Sequence, residues 1–450
     1  MSVLKYGMRF VLAAVCAGLV CPAQLATPTA TTEQFAAEVA RVLPEEPPFA
    51  YHKRLSSAPV HVPRRDANAK PQAGEMEIPA QSWRIVWKPR DSAVLAGAVA
   101  DFQDYLRTTM VVDAAVDERD ALADWQSLRQ CIVVGTRDDL PGCGAELKGP
   151  KDYEILVTPD RVMVCGFDER GAMFGLYNLE ARMNLREAPF LPANLRTVRH
   201  SLYDARMVQS WMGWMEFPDP VLAHMAHDGF DAIFASAYAN PNGDRTTAEN
   251  STDFYARLMN RMRHQDPARV HDLIARAAKF GIKVYTPIIY QYVGTPESEA
   301  DLRRLVREIL AEFPDVRGYV LLTEGFWYKK WGGGHGASAE YIQDWARNWC
   351  HAVGIVAEEC HKVDPTIEIL PWEYNIDFRP QNVEVKRYFI QQLPAGTIPL
   401  LTWENGKSFE IDGMQGHLRD YAINQAGPAE VTEAQIHEAR ARGMKVYSNA

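Results

Sequence analysis

The sequence lacks an excess of basic residues. Its 450 residues include 48 Lys and Arg against 58 Asp and Glu, which gives a net charge of −10. Proteins dedicated to nucleic acids need a basic surface that neutralises phosphates, so we expect no nucleic-acid partner. No predicted strand is followed by a glycine-rich phosphate loop, which argues against a nucleotide-binding Rossmann fold. We expect no cofactor.

Cysteine is also scarce. Five of the seven cysteines lie beyond residue 23, widely spaced and odd in number, with no CxxC pair and no Cys-His pair at zinc spacing. This pattern is not that of a disulfide framework, and it favours buried thiols with at most one bridge. The first predicted barrel strand also lacks a His-x-His pair, so a metal-dependent hydrolase is disfavoured and we expect no metal ligands.

No apolar run reaches the roughly 18 residues that a membrane-spanning helix needs, so we expect no stable membrane span. The amino terminus instead resembles a secretory signal. Lys5 and Arg9 precede the apolar run Phe10–Val20, and Cys21 and Ala23 suit positions −3 and −1 of a cleavage site. A lipid anchor is the alternative, but the residues before either cysteine of this segment fit a lipobox poorly. We predict a signal peptide over residues 1–23 and a secreted or periplasmic protein.

The rest of the chain divides into three parts. Residues 24–80 are rich in Ala, Pro, Thr and charge, which predicts a flexible lead-in with a short helix near Thr32–Val42. Residues 81–195 predict a small α/β domain. Its predicted elements are a strand at Trp83–Trp87, a helix at Ser92–Leu106, a strand at Cys131–Gly135, a hairpin formed by Tyr153–Val157 and Arg161–Cys165, and a helix at Gly171–Met183.

From residue 200 to 450, apolar strands alternate with helical stretches. The predicted strands are Ala205–Val208, Ala232–Ser236, Lys283–Ile289, Gly318–Leu322, Ile367–Pro371, Ile398–Thr402 and Met444–Tyr447. Such alternation implies a parallel sheet, and this number of strands favours a (β/α)8 TIM barrel over a doubly wound sheet. The seventh strand ends just before Ala450. Either the barrel is truncated after strand seven or one strand is miscounted, and we favour truncation.

Active sites of such barrels lie at the carboxyl ends of the strands. Strands four, five and six are followed closely by Glu324, Glu373 and Glu404, each with a Trp within three residues. A solvated carboxylate is the ordinary interpretation of any one of them, but three at matched strand ends favour a carboxylate-based site. Glycoside hydrolysis uses such a pair: one carboxyl stays protonated beside an apolar ring and donates its proton, and another activates water or attacks the sugar.

Aromatic rings stack on the apolar faces of sugars, so further residues near the strand ends are candidate substrate ligands. They are Trp211, Trp214, Trp327, Trp372, Trp403, Asn375, His335 in a glycine-rich loop, and Arg206 near the end of strand one. For Arg206, a structural salt bridge is an equal alternative to substrate binding. For His335, the alternative is that its loop is a plain surface loop. Trp345 and Trp349 share helical spacing with Tyr341 and Val353, so we assign them to packing.

The stretch Tyr153–Leu179 (YEILVTPDRVMVCGFDERGAMFGLYNL) combines a strand pair, a Gly-Phe-Asp turn and a glycine-containing helix start. It resembles the small domain that precedes the barrel in β-N-acetylhexosaminidases and α-glucuronidases. The resemblance spans about 370 residues diffusely, and Arg206 and Glu324 fit the same superfamily. It implies that Glu324 is the proton donor, and the α-glucuronidase layout implies Glu404 as the base, with Glu373 as the other candidate.

One departure from the hexosaminidase pattern is plain. Those enzymes carry an Asp-Glu pair after strand four, where this sequence has Thr323-Glu324. The acid role of Glu324 is unaffected, but an Asp to orient an acetamido group is missing. The leading hypothesis is therefore a secreted, exo-acting glycoside hydrolase whose partner is an oligosaccharide or glycan substrate. The alternative is a barrel that binds carbohydrate without cleaving it.

Overall fold

The computed structural model describes residues 31–42, 46–47, 50–90, 92–210, 217–235, 267–288, 292–323, 338–373, 383–402, 408–417 and 428–449. The predicted signal peptide lies outside these residues. In the described part of the chain, no helix is both long and apolar enough to cross a membrane. The chain divides into two compact units, one up to Leu55 and one from Ser56 onwards.

The first unit contains helix α1 (Thr32–Val42) and most of helix α2 (Ala50–Ser57). The short helix predicted at Thr32–Val42 is confirmed. Strand β1 (Glu75–Glu77) lies within the predicted lead-in and belongs to the second unit. There it pairs with β7 (Phe190–Pro192), and Met76 and Ile78 are buried.

After β1, the described part of the second unit contains a sheet of six strands in the order β3-β2-β4-β6-β5-β8. Its strands and helices are β2 (Arg84–Trp87), α3 (Ala93–Met110), β3 (Ala115–Glu118), β4 (Cys131–Thr136), β5 (Tyr153–Thr158), β6 (Arg161–Gly166), α4 (Glu169–Arg186) and β8 (Arg196–Arg199). The predicted hairpin is confirmed, since β5 and β6 pair antiparallel from Tyr153↔Gly166 to Thr158↔Arg161. Strands β3 and β8 were not predicted, because their short, largely exposed segments carry little apolar pattern.

The glycines of the Tyr153–Leu179 stretch let helix α4 sit directly against the sheet. The Asp168 carboxylate caps the helix by accepting a hydrogen bond from the Gly171 N–H at 2.8 Å. A Cβ at Gly171 would collide with the backbone carbonyl of Asp152, and one at Gly175 would collide with Val164. The close approach of the helix to the strands therefore depends on the absence of a side chain at these two positions.

We predict that Gly171→Ala lowers the free energy of unfolding by about 1–3 kcal/mol, because the clashing neighbour is rigid backbone. Gly149→Ala is the matched control: nothing lies within 4 Å of its would-be Cβ, so a change below about 0.5 kcal/mol is expected. Denaturant midpoints of the two variants measure the difference. Equal midpoints would show that the helix can move away without cost.

Among the described residues, the second sheet has seven strands in the order β9-β10-β11-β12-β13-β14-β17, and every neighbouring pair is parallel. In chain order the elements are β9 (Met207–Ser210), α5 (Asp219–His227), β10 (Ala232–Ala235), α6 (Pro267–Lys279), β11 (Lys283–Pro287), α7 (Pro296–Glu312), β12 (Gly318–Leu322), α8 (Ala339–Val363), β13 (Glu368–Trp372), α9 (Val383–Gln392), β14 (Leu400–Thr402), hairpin β15 (Ser408–Ile411) and β16 (Met414–His417), α10 (Glu430–Ala441) and β17 (Tyr447–Asn449).

A sheet whose parallel strands follow chain order is the wall of a (β/α)8 barrel, whereas a doubly wound sheet reverses its order at a switch point. The predicted TIM-barrel class with seven strands, preceded by an α/β region, is therefore confirmed. The observed bounds of these strands agree with the predicted bounds within two residues, except that β17 begins three residues later than predicted. The bounds of β12 coincide with the prediction. The short helices α5 and α9 were not predicted.

The faces of this sheet alternate as strand geometry requires. Its outer face carries Ile233, Tyr319, Leu321 and Ile369, which join a large core with the helices and the first sheet. Its inner face has a separate cluster to which no helix contributes among the described residues: Ala232, Phe234, Tyr285, Val320, Leu322, Leu370, Trp372 and Leu400. Trp345 and Trp349 are buried in the outer core and pack edge-on to Phe389, which confirms their assignment to packing.

A buried ion pair joins the two sheets. The Lys151 ammonium, at the turn before β5, lies 2.6 Å from an Asp231 carboxylate oxygen at the head of β10, and both side chains are almost fully buried. The same ammonium donates to the carbonyls of Tyr203 and Asp204, just before β9. The other Asp231 oxygen accepts from the Arg206 N–H at 2.7 Å. These bonds align the amino ends of β9 and β10 beneath the first sheet.

We predict that Asp231→Asn destabilises the protein by about 3–5 kcal/mol, because it leaves a buried ammonium without its countercharge. Asp301→Asn is the control, since it breaks an ion pair with Arg304 whose side chains are both more than half exposed, and it should cost less than about 1 kcal/mol. Chemical denaturation of both variants provides the comparison. A loss for Asp231→Asn no larger than the control would contradict the proposed importance of the pair.

The five cysteines in the described residues, Cys131, Cys143, Cys165, Cys350 and Cys360, are all free thiols. All are buried except Cys143, which is partly exposed. This confirms that the described part of the chain has no disulfide framework.

Candidate functional site

The carboxyl ends of β12, β13 and β14 lie side by side. Leu322 pairs with Trp372, and Trp372 pairs with Leu400. The ladder continues one residue further, because the Thr323 N–H donates to the Trp372 carbonyl at 3.1 Å. The chain therefore leaves three neighbouring strands along one edge of the sheet, as predicted for strands four to six.

Trp372 lies inside the curled sheet. Its side chain is 2% exposed and belongs to the inner-face cluster. Its indole N–H donates to the Thr402 hydroxyl on the adjacent strand at 3.1 Å. The sequence predicts Trp372 as a substrate ligand that stacks on a sugar, whereas the structure places its ring in the packed interior. A strand-final residue on the inner face is covered by its neighbours, which a linear pattern does not show.

Glu373 lies on the opposite face. Its carboxylate is buried against the helices, 2.7 Å from the Lys386 ammonium of α9. It also accepts from the Gln435 amide of α10 at 3.0 Å. Burial raises the pKa of Glu373, and the Lys386 charge opposes that rise. This enclosure by helices favours a structural role, because a catalytic carboxyl must reach the substrate.

Arg206 was placed near the carboxyl end of the first strand, and this placement is wrong. The strand begins at Met207, so Arg206 precedes it at the amino edge of the sheet. Its guanidinium lies 5.4 Å from the centre of the Phe230 ring. The prediction is wrong because it makes the strand begin two residues too early along the chain.

The remaining predicted site residues lie outside the described residues. They are the carboxylates Glu324 and Glu404 and the ligand candidates Trp211, Trp214, Trp327, Trp403, Asn375 and His335.

The structure also shows a polar cluster that the sequence analysis did not predict. The Tyr285 and Tyr447 hydroxyls donate to the Glu368 carboxylate at 2.5 and 3.0 Å. Burial, together with the Glu368 charge, raises the pKa of both tyrosines. Glu368 is the first residue of β13, so this cluster lies at the amino edge, away from the strand ends.

A second unpredicted group, here called the His-carboxylate cluster, comprises His61, Asp101, Glu180 and His227. One ligand atom from each lies within 4.8 Å of the others. Burial raises the pKa of Asp101, but His227 and His61 outweigh burial and lower it to about 2. Burial lowers the pKa of His227, and its two carboxylate neighbours reverse this and raise it to about 10. Of the described residues, only this group satisfies the distance criterion for a metal site.

No family model matches the chain, and no curated protein matches it. Among solved structures, a GH138 enzyme targeting pectin rhamnogalacturonan II is 13% identical, with a TM-score of 0.47 over 72% of this chain and 39% of its own. CpGH84B is 12% identical with a TM-score of 0.49 over 76% of this chain and 56% of its own. A β-N-acetylhexosaminidase from Bacteroides fragilis is 11% identical with a TM-score of 0.47 over 86% and 74%.

The chain thus spans less than two thirds of the length of the first two of these proteins. Because the sequence identities are this low and the TM-scores stay below 0.5, these similarities do not show the activity of this chain.

We predict that Glu373→Gln lowers the free energy of unfolding by about 3–5 kcal/mol, because it removes the carboxylate that faces a buried ammonium. The double variant Glu373→Gln/Lys386→Met should recover part of that loss. Glu358→Gln, which breaks a solvent-exposed pair with Arg303, is the control and should cost less than about 1 kcal/mol. An unchanged denaturation midpoint for Glu373→Gln would contradict the structural role.

Proposed function

We propose that this chain is a secreted, exo-acting glycoside hydrolase with a glycan substrate. Glu324 is the proton donor in this proposal, and Glu404 is the base or nucleophile. Secretion rests on the signal-like residues 1–23. The proposal is supported by the barrel-type sheet, by the adjacency of the three strand ends, and by the glutamates that follow them in the sequence.

The alternation of side chains along the strands decides which of the three glutamates we choose as the catalytic pair. Leu322 is on the inner face, and so is Thr402, which bonds the inward Trp372. Glu324 and Glu404 each follow one of these residues by two positions. Continuing the alternation of side chains two residues past the strand ends puts both glutamates on the inner face in this proposal. Glu373 follows Trp372 by one position and is on the outer face.

This geometry suits two-carboxylate chemistry. An acid beside apolar side chains keeps its proton at neutral pH and can donate it to the leaving oxygen. A second, ionised carboxylate across the sugar then activates water or attacks the anomeric carbon. Of the two alternatives for the second carboxylate, Glu404 is preferred, since the ammonium and helices around Glu373 separate it from the inner face.

The test is turnover of aryl glycosides of N-acetylhexosamines, hexuronic acids and neutral hexoses by the full chain. Glu324→Gln should lower kcat roughly 100- to 10,000-fold on the cleaved sugar, the usual contribution of general acid catalysis. Glu340→Gln, an exposed glutamate in the first turn of α8, is the control and should leave kcat unchanged.

Leaving-group dependence separates the two roles. A dinitrophenolate leaving group needs no proton, so Glu324→Gln should lose much less activity on a dinitrophenyl glycoside than on an alkyl glycoside. Glu404→Gln should lose similar activity on both. Full activity of Glu324→Gln on poor leaving groups would refute its role as the acid. Glycan binding without turnover on any panel would replace the proposal with the non-catalytic carbohydrate-binding barrel.

A further inference from the structure

The His-carboxylate cluster is assembled from four separate segments. His61 lies in the extended segment after α2, Asp101 on α3, Glu180 on α4, and His227 is the last residue of α5. The cluster therefore joins the helices that cover the first sheet to the first helix of the barrel. It is separate from the carboxyl ends of β12, β13 and β14, because α5 ends near the amino edge of the parallel sheet, just before β10 begins.

The distances within the cluster match those between the ligands of one small metal ion. His61 Nε2 lies 3.1 Å from Asp101 Oδ1, and His227 Nε2 lies 3.0 Å from Asp101 Oδ2 and 3.2 Å from Glu180 Oε2. Zinc binds N and O ligands at about 2.0–2.2 Å in a tetrahedron, which places neighbouring ligand atoms about 3.3 Å apart. One ligand atom from each of the four residues lies within 4.8 Å of the others, so the side chains would draw closer together to surround such an ion.

The ring orientation of His227 also suits a metal. Its Nδ1 lies 2.8 Å from the Ala223 carbonyl of the preceding turn, so we assign the proton to Nδ1. When a metal displaces the proton from Nε2, the lone pair of that nitrogen is directed into the cluster. Metal-binding histidines characteristically have this arrangement, with the other ring N–H donated to a carbonyl or carboxylate.

Several atoms of the cluster lack hydrogen bonds despite their close spacing. His227 Nε2, Asp101 Oδ2 and Glu180 Oε1 are buried and make none. The imidazole nitrogen is within ion-pair distance of two carboxylates but is not aligned with either oxygen. The Glu180 side chain is 5% exposed, so water does not readily satisfy it.

Charge is compatible with a bound cation. With both imidazoles neutral, as metal ligands must be, the two carboxylates leave a charge of −2, and burying that charge without compensation is costly. A divalent cation supplies both positive charges at once. Nitrogen and oxygen donors in a tetrahedral set suit zinc among the first-row metals.

We propose that His61, Asp101, Glu180 and His227 bind one zinc ion in a structural site. Four protein ligands leave no coordination position for substrate, so the ion fastens α3, α4, α5 and the His61 segment together rather than taking part in chemistry. The proposal is independent of the proposed glycosidase activity.

The test uses the full chain, stripped with a chelator, dialysed against zinc chloride and desalted. Elemental analysis should find one zinc per chain, and zinc should raise the melting temperature of the stripped protein. His61→Gln and His227→Gln should lose the retained zinc and the melting shift. His271→Gln is the matched control: this exposed histidine pairs with Glu312 at the surface, and it should retain one zinc.

Cobalt substitution keeps the test valid if a variant misfolds. The wild-type chain loaded with cobalt chloride should show the intense visible absorption of tetrahedral Co²⁺, and zinc should displace it. No retained zinc in the wild type, or equal zinc in wild type and a folded His61→Gln variant, would overturn the proposal. The cluster would then be a protonated imidazole held between two carboxylates.

Discussion

The buried ion pair between Lys151 and Asp231 is the interaction on which the arrangement of the second unit depends. One ammonium binds the carboxylate at the head of β10 and two carbonyls before β9, and the carboxylate in turn binds the Arg206 N–H. Buried charges require specific, directed partners, whereas apolar packing tolerates small sliding. The pair therefore sets where the first two parallel strands begin relative to the first sheet.

From that starting point, the parallel ladders propagate the register across the sheet to β17. Register decides which side chains share a face, because a slip of one residue would exchange the two faces of a strand. The consequence is clearest in β13, where adjacent residues have opposite fates. Trp372 packs inside the curled sheet, while Glu373 pairs with Lys386 among the helices.

The edge formed by the strand ends and the His-carboxylate cluster have different physical characters. The carboxyl ends of β12, β13 and β14 lie side by side along one edge of the sheet, and in the proposed function this edge binds the substrate. The His-carboxylate cluster lies between helices and is enclosed, which suits a fixed ion. In such enclosed sites, unmatched donors and acceptors are expensive, so an ion that satisfies several of them stabilises the packing around it.

Much of the architecture could be predicted from the sequence because it follows from local patterns. Alternating apolar strands and amphipathic helices determined the parallel sheet and the β5–β6 hairpin, and helical spacing identified Trp345 and Trp349 as core residues. Short or exposed elements such as β3, β8 and α5 were missed because they bury too few side chains to produce a pattern. Arg206 was misplaced because the bounds of a strand depend on hydrogen bonds to its neighbours.

What the sequence by itself determined is the order and type of the elements, and the presence of glutamates after three consecutive strands. Only the tertiary structure decided that Glu373 turns away from the inner face and that Trp372 is closed in. Only the tertiary structure brought together His61, Asp101, Glu180 and His227, which have no common spacing along the chain. The physical reason is that periodicity reports which residues share a face of one element. Contacts between elements depend on the packing of all of them.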